Sequence, residues 1–290
     1  MQDLLLVGPA LQPSDFLDLC RAVKPESVLF HPETTALRIK AINAAAADQL
    51  EAQAQGKAVD CLRLSAELSI QNVRLIALDM DSTLIANECI DDMAAIAGCG
   101  PEMARLTREA MEGLWPFSKN LVERVRLLKG ADAGIALQAS ENICFSPGAQ
   151  RLMRFMQAHR VDRWIISGGF SQIARPVAAK LGMTGVICNE LVIEDGCLTG
   201  EVVGPAGGRI LDADGKRRAL EVLSSAAKAE LCETIAVGDG ANDVQMIRAA
   251  GNGFAYQAAA QAARLRINHA GLDAIAACYS EYWTDAQVLI

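Results

Sequence analysis

Residues 75–83 read Leu75-Ile76-Ala77-Leu78-Asp79-Met80-Asp81-Ser82-Thr83, an apolar run that ends in two carboxylates two positions apart. Four consecutive apolar residues fit a strand buried on both faces, as in a parallel sheet. In such a sheet the ligand crevice lies beyond the carboxyl ends of the strands, so Asp79 and Asp81 are expected to enter a space where acids are poorly solvated. A divalent cation is the expected neutralising partner. A single Asp-x-Asp at a strand exit is also ordinary turn or capping chemistry, so the reading depends on the rest of the chain.

Outward from this stretch the pattern recurs twice. Trp164-Ile165-Ile166 runs into Ser167-Gly168-Gly169-Phe170, and Thr234-Ile235-Ala236-Val237 runs into Gly238-Asp239-Gly240-Ala241-Asn242-Asp243. Lys216 opens a helical stretch between them. Glycines behind Ser167 allow close approach of a phosphate to backbone N–H groups, and a following helix presents more of them. Asn242 and Asp243 read either as the N-terminal cap of the helix carrying Met246, Ile247 and Ala250 or as members of the same site.

With 27 basic and 35 acidic residues the net charge is −8, the densest basic run being Lys216-Arg217-Arg218, which argues against a nucleic-acid partner. No stretch approaches ~18 unbroken apolar residues, so no membrane span is expected. Met1-Gln2-Asp3 precedes only a short apolar run, unlike a signal peptide. The nine cysteines are scattered without a Cys-x-x-Cys pair and read as reduced, mostly buried residues, which fits a cytoplasmic enzyme. His31, His159 and His269 lie far from every motif in sequence and are assigned no chemistry.

Residues 1–70 are expected to form a small α+β domain of β-α-β-β-α-β order, a ferredoxin-like unit. It resembles the amino-acid-binding ACT domains, which would make room for an amino-acid effector; a role in homodimerisation or stability reads equally well. Residues 71–290 are expected to carry the site. Within them, residues 87–141 show helical stripes at Cys89, Ile90, Met93 and Ile96, then at Met103, Leu106 and Ala110, then at Phe117, Leu121, Val125 and Leu128. They are expected to form a cap over the crevice. Arg124, two helical turns beyond Phe117, falls near the centre of the third stripe, where its charge needs a partner or its stem must snorkel to water. A hairpin is expected around Asp195-Gly196, and Pro176 leaves the path of the helix after Phe170 open.

In this order the four motifs resemble the haloacid dehalogenase superfamily of phosphatases. DMDSTLIANE (Asp79–Glu88) and MEGLWPFSKNLVERV (Met111–Val125) further resemble its phosphoserine phosphatases. The resemblance implies an α/β, Rossmann-like core with a parallel sheet and a helical cap inserted after the first motif. It implies that Asp79 is the nucleophile forming an aspartyl phosphate and that Asp81 is the general acid and base. Mg²⁺ would be held by Asp79, by Asp81 through its backbone carbonyl, and by Asp239. Ser167, Gly168, Gly169, Lys216 and Asn242 would hold the phosphate side of the substrate. Glu88 would take its ammonium group, Arg124 its carboxylate, and Met111 and Phe117 would close over its carbon chain. The implied activity is hydrolysis of O-phosphoserine, the last step of serine biosynthesis. Rivals are phosphoryl transfer to another alcohol such as homoserine, and an amino-acid sensor without turnover. Met80 stands where Phe is common, and Gln257-Ala258-Ala259 where Ala-Lys-Pro is common.

Overall fold

A computed structural model describes residues 1–65, 68–111, 116–257 and 263–286 and arranges their strands in two sheets. The smaller sheet contains β1 (Gln2–Val7), β2 (Ser27–His31), β3 (Ala36–Ile42) and β4 (Asp60–Leu64), with α1 (Ser14–Val23) and α2 (Ala44–Ala54) between them in the expected order. Its antiparallel strands run β2-β3-β1-β4 across the sheet. Alternation along β1 decides which side faces what. Leu4 and Leu6 pack with Phe16, Leu37 and Leu50 on the helical side, whereas Leu5 and Val7 join Leu62 and Leu64 in the core shared with the rest of the chain. The small domain is therefore seated on the larger one by an apolar sheet face.

The larger sheet begins with β5 (Leu75–Leu78). Four helices follow, α3 (Cys89–Ile96), α4 (Gly100–Met111), α5 (Phe117–Arg126) and α6 (Ile135–Glu141). Then come α7 (Ala149–Ala158), β6 (Asp162–Phe170), α8 (Ser171–Leu181), β7 (Gly185–Glu194), β8 (Cys197–Val203), α9 (Ala213–Ala226), β9 (Thr234–Gly238), α10 (Val244–Ala249), β10 (Asn252–Tyr256), β11 (Leu265–Ile267) and α11 (Asp273–Tyr279). The strand order β11-β10-β9-β5-β6-β7-β8 is parallel apart from the β7–β8 hairpin, a Rossmann-like arrangement. β5 is central and buried on both faces: Ile76 and Leu78 enter one core and Leu75 and Ala77 the other. The hairpin turn at Asp195-Gly196 has φ of 50° and 79°, the left-handed pair that a tight two-residue turn demands.

Some local readings change. The Ser167-Gly168-Gly169-Phe170 motif lies inside β6, where the pairing with β7 slips between Ser167 and Phe170, and helix α8 starts only at Ser171. Pro176 does not end that helix. Ile96, expected on a buried stripe, is 40% exposed, because the short α3 ends there. Ala258 and Ala259 lie outside the described residues.

The chain also returns to its beginning. β12 (Thr284–Asp285) pairs antiparallel with β2, extending the small sheet. Asp60, buried at the end of the small sheet, accepts hydrogen bonds from the amides of Asn268, His269 and Ala270 at 3.0, 2.9 and 2.8 Å. The expected 71–290 unit thus lends a strand to the other sheet, and a two-residue strand has no periodicity by which a sequence could announce it.

Candidate active site

Because β5 lies between β6 and β9, the carboxyl ends of three neighbouring strands bring Asp79, Ser167 and Asp239 to one cavity. The Asp79 amide still belongs to the sheet, donating to the Val237 carbonyl at 3.0 Å, while its side chain enters the crevice and is 7% exposed. A wide turn over Met80–Leu84 follows, with Ser82 in the left-handed region at φ 54°. That conformation has local partners. The Ser82 hydroxyl donates to Glu88 Oε1 at 2.8 Å, and the Thr83 hydroxyl donates to Asp239 Oδ1 at 2.6 Å. Thr83 is fully buried, and nothing in the sequence beyond its place in the motif marked it as the partner of Asp239.

Asp212 caps α9, accepting from the Gly215 amide at 2.9 Å, and this sets Lys216 in the first turn with its side chain directed at Asp79 and Asp243. Lys216 Nζ lies 2.8 Å from Asp79 Oδ2 and 2.6 Å from Asp243 Oδ1, with no solvent exposure. Burial alone would lower its pKa, but the carboxylates of Asp243 and Asp79 hold it above the usual lysine range. Burial and the charge of Asp79 push Asp243 upward in turn. Asp79, Asp239 and Asp243 each offer an oxygen, all within 4.8 Å of one another. Asp239 is pushed up to about 6 by burial and by Asp79. An all-oxygen set in which Asp239 and Asp243 resist ionisation fits a hard divalent cation, whose charge would offset the crowding of carboxylates. Asp243 belongs to this set although its place in the chain reads equally well as a cap; it also accepts from the Gly240 amide at 3.0 Å.

Asp81 points elsewhere. Its Oδ1 accepts from the Cys89 amide at 3.0 Å, and burial raises its pKa to about 6, with Asp79 adding to the shift. Its other oxygen faces the glycine motif so closely that a Cβ on Gly169 would lie 2.7 Å away. Glycine there is required by contact with the acid. Ser167 is buried, and its hydroxyl oxygen accepts from the Gly169 amide at 3.0 Å. The Gly168 carbonyl accepts from Asn189 Nδ2 at 2.8 Å, and Asn189 Oδ1 accepts from the Leu211 amide at 2.7 Å. Asn189 is wholly buried on β7 and was not singled out by sequence, where it stands outside every motif.

The cap closes the cavity, whose volume is about 260 Å³. Phe117 at the start of α5 lies against Gly168; a Cβ there would come within 2.6 Å of the ring. Arg124, on the same helix, lines the cavity with Glu88 and Thr107. Its Nε is buried without a hydrogen-bond partner, and among the described residues it forms no ion pair. Burial lowers its pKa, opposed by Asp91, Glu88 and Asp81. Glu88 sits at the accessible rim, yet burial of its carboxylate among protein atoms, together with Asp81, pushes it up to about 7. Asn242 also lines the cavity; the Met111 side chain lies outside the described residues. A cleft of about 800 Å³ near Glu51, Arg63 and His269 is larger but lies away from these strand ends, so size does not mark the chemistry.

Strand-end acids, a buried lysine and a serine-glycine turn meet beneath a helical cap, and comparison with known proteins assigns the chain to a class of hydrolases. A family model described as haloacid dehalogenase-like hydrolase matches residues 76–248, and the chain belongs to that family. It is 38% identical over 229 residues to a phosphoserine phosphatase of Streptomyces coelicolor, covering 78% of this chain and 55% of that one. The chain spans about half the length of the first curated relatives it matches. Among solved structures it is similar to a probable phosphoserine phosphatase from Vibrio cholerae in unliganded form, with TM-score 0.80, 30% identity and 96% and 85% of the two chains covered. It is also similar to a substrate-bound phosphoserine phosphatase complex, with TM-score 0.66, 33% identity and 72% and 99% covered. Among the described residues no helix is long and apolar enough to cross a membrane.

Proposed function

We propose that this chain hydrolyses O-phosphoserine to serine and phosphate with Mg²⁺, through an aspartyl phosphate on Asp79, as the last step of serine biosynthesis in the cytoplasm. The observation that carries the reading is the pair Glu88 and Arg124, one acid and one guanidinium without an ion-pair partner among the described residues, at the cap side of the cavity that Asp79 lines, with Lys216 buried behind Asp79. A zwitterionic amino-acid end and a phosphate end have separate partners there. The names of the relatives point the same way.

In this mechanism Asp79 attacks phosphorus while Asp81 protonates the departing seryl oxygen. Asp81 then takes a proton from the water that hydrolyses the aspartyl phosphate. A pKa of about 6 leaves it able to act in both directions near neutral pH. Ser167 and the cradle amides would bind the phosphoryl oxygens, and Lys216 would offset their charge while fixing the Asp79 rotamer. Asp79, Asp239 and the backbone carbonyl of Asp81 would hold the cation, with Asp243 and Asn242 beside them. When bound, it would supply positive charge to the phosphoryl oxygens. Arg124 would clamp the carboxylate and Glu88 the ammonium group, under Phe117 and Met111.

Residues 71–290 would then form the catalytic unit, with 87–141 as its cap. Residues 1–70, with the strand at 284–285 added, would form an accessory unit able to hold an amino-acid effector or a second copy of the chain. The test is a phosphate-release screen over small phosphomonoesters with Mg²⁺, run with and without homoserine as acceptor. Preference for phosphoserine with stoichiometric free phosphate is the expected result. No metal-dependent turnover of any ester, or phosphate recovered on homoserine, would overturn it.

A further inference from the structure

The peptide unit joining Gly168 and Gly169 is gripped at both ends. Its N–H donates to Ser167 Oγ at 3.0 Å, and its carbonyl accepts from Asn189 Nδ2 at 2.8 Å. Both glycines fall where the β6–β7 register slips, so the ladder does not fix this peptide's orientation by itself. Asn189, paired in register with Phe170 just beyond the slip, supplies the missing bond with its side chain. Its other end is committed as well. Oδ1 accepts from the Leu211 amide at 2.7 Å, one residue before Asp212, the cap of the helix that delivers Lys216. One fully buried amide therefore connects the glycine cradle to the approach of the lysine helix. It uses a donor on one side and an acceptor on the other, which an amide side chain offers without titrating.

We infer that Asn189 is a positioning residue of the phosphate site, setting the plane of the Gly168–Gly169 peptide and its distance from Lys216. This inference rests on the phosphatase reading above. A free peptide at this point could rotate, turning its carbonyl oxygen toward the phosphate and drawing its N–H off Ser167 Oγ, and the cradle would then repel the group it is built to hold. Among the described side chains Asn189 alone donates to this carbonyl.

Asn189→Asp separates the two bonds when assayed at alkaline pH, where its ionised carboxylate still accepts from the Leu211 amide but has no proton to donate to the Gly168 carbonyl. Asn189→Ala removes both without adding a buried charge. Wild-type turnover of p-nitrophenyl phosphate is measured first, because its absence defeats the phosphatase reading itself, whatever Asn189 does. With an active wild type, both variants should weaken inhibition by inorganic phosphate at least about tenfold and raise KM for p-nitrophenyl phosphate by a similar factor. The Gly169 amide should exchange faster in both. A folded variant with unchanged phosphate inhibition overturns the inference, as does a loss of affinity with Gly169 exchange unaltered. Failure of both variants to fold assigns Asn189 to stability and equally overturns it.

Discussion

The two ends of the small cavity solve opposite electrostatic problems. At the floor every charge already has a partner: Lys216 is shared by Asp79 and Asp243, Asp239 is bonded to Thr83, and Asp81 accepts from the Cys89 amide. Among the described residues, at the cap side, Arg124 has no ion-pair partner and the Glu88 carboxylate holds only the Ser82 hydroxyl. Prearranged dipoles and charges at the floor cost no reorganisation when the reaction occurs. Under the proposed function, unpaired groups at the other end would keep their interaction energy for a ligand, which would make that end a discriminator between esters. Chemistry and selection are therefore separable by mutation.

The largest effect should come from the floor. Asp79→Asn removes the nucleophile, and turnover of every ester should disappear together with any trappable phosphoenzyme. A phosphoenzyme detected in that variant would refute the assignment of Asp79. Asp81→Asn keeps the nucleophile and loses proton transfer, so kcat should fall ~10²- to 10⁴-fold on phosphoserine. An ester with a good leaving group should suffer less in the first displacement, and equal losses on good and poor leaving groups would remove Asp81 from that step.

At the cap side the effect should be smaller and selective. A charge-assisted hydrogen bond contributes ~1.5–3 kcal/mol, so Arg124→Ala should lower kcat/KM for phosphoserine by at least about tenfold. p-Nitrophenyl phosphate lacks a carboxylate and should be nearly unaffected. Comparing the two substrates in one variant cancels damage to the fold or to cap closure, and equal proportional losses would assign Arg124 to structure or phosphate binding instead.

The smallest effect is a dependence on pH. A carboxyl whose pKa is raised to about 7 is ionised above that pH and protonated below it, and only the ionised form of Glu88 pairs with an ammonium group. The ratio of kcat/KM for phosphoserine to that for p-nitrophenyl phosphate should therefore decline a few-fold as pH falls through about 7. Glu88→Gln should flatten the decline. A ratio that stays level in the wild type would separate Glu88 from the ammonium group.

Much of the floor was legible because its residues cluster within short motifs that follow apolar runs. A strand of four apolar residues and the acids behind it are one local pattern, and so are the alternations of the ferredoxin-like sheet. Asn189, Asp60 and Thr83 were not legible in this way. Each works through a partner far along the chain, at sequence separations of 21, 208 and 156 residues, and no periodicity encodes such a pairing. Asp243 fell between the two cases. Its position read either as a cap or as part of the site, and only the fold reveals that the same carboxylate meets Lys216.

The strand at Thr284–Asp285 has a consequence for how the chain is made. Its partner β2 is synthesised early, and Thr284 meets Phe30 across 254 residues of sequence. Until that segment emerges, β2 is an open edge whose free N–H and C=O groups can recruit other strands. The apolar face bearing Leu5 and Val7 waits for its cover through much of the same interval. In a nascent chain the β2 edge therefore stays open until residues 284–285 emerge and this apolar face for much of that time, so the demand for chaperone protection should rise with the time taken to translate the residues between them.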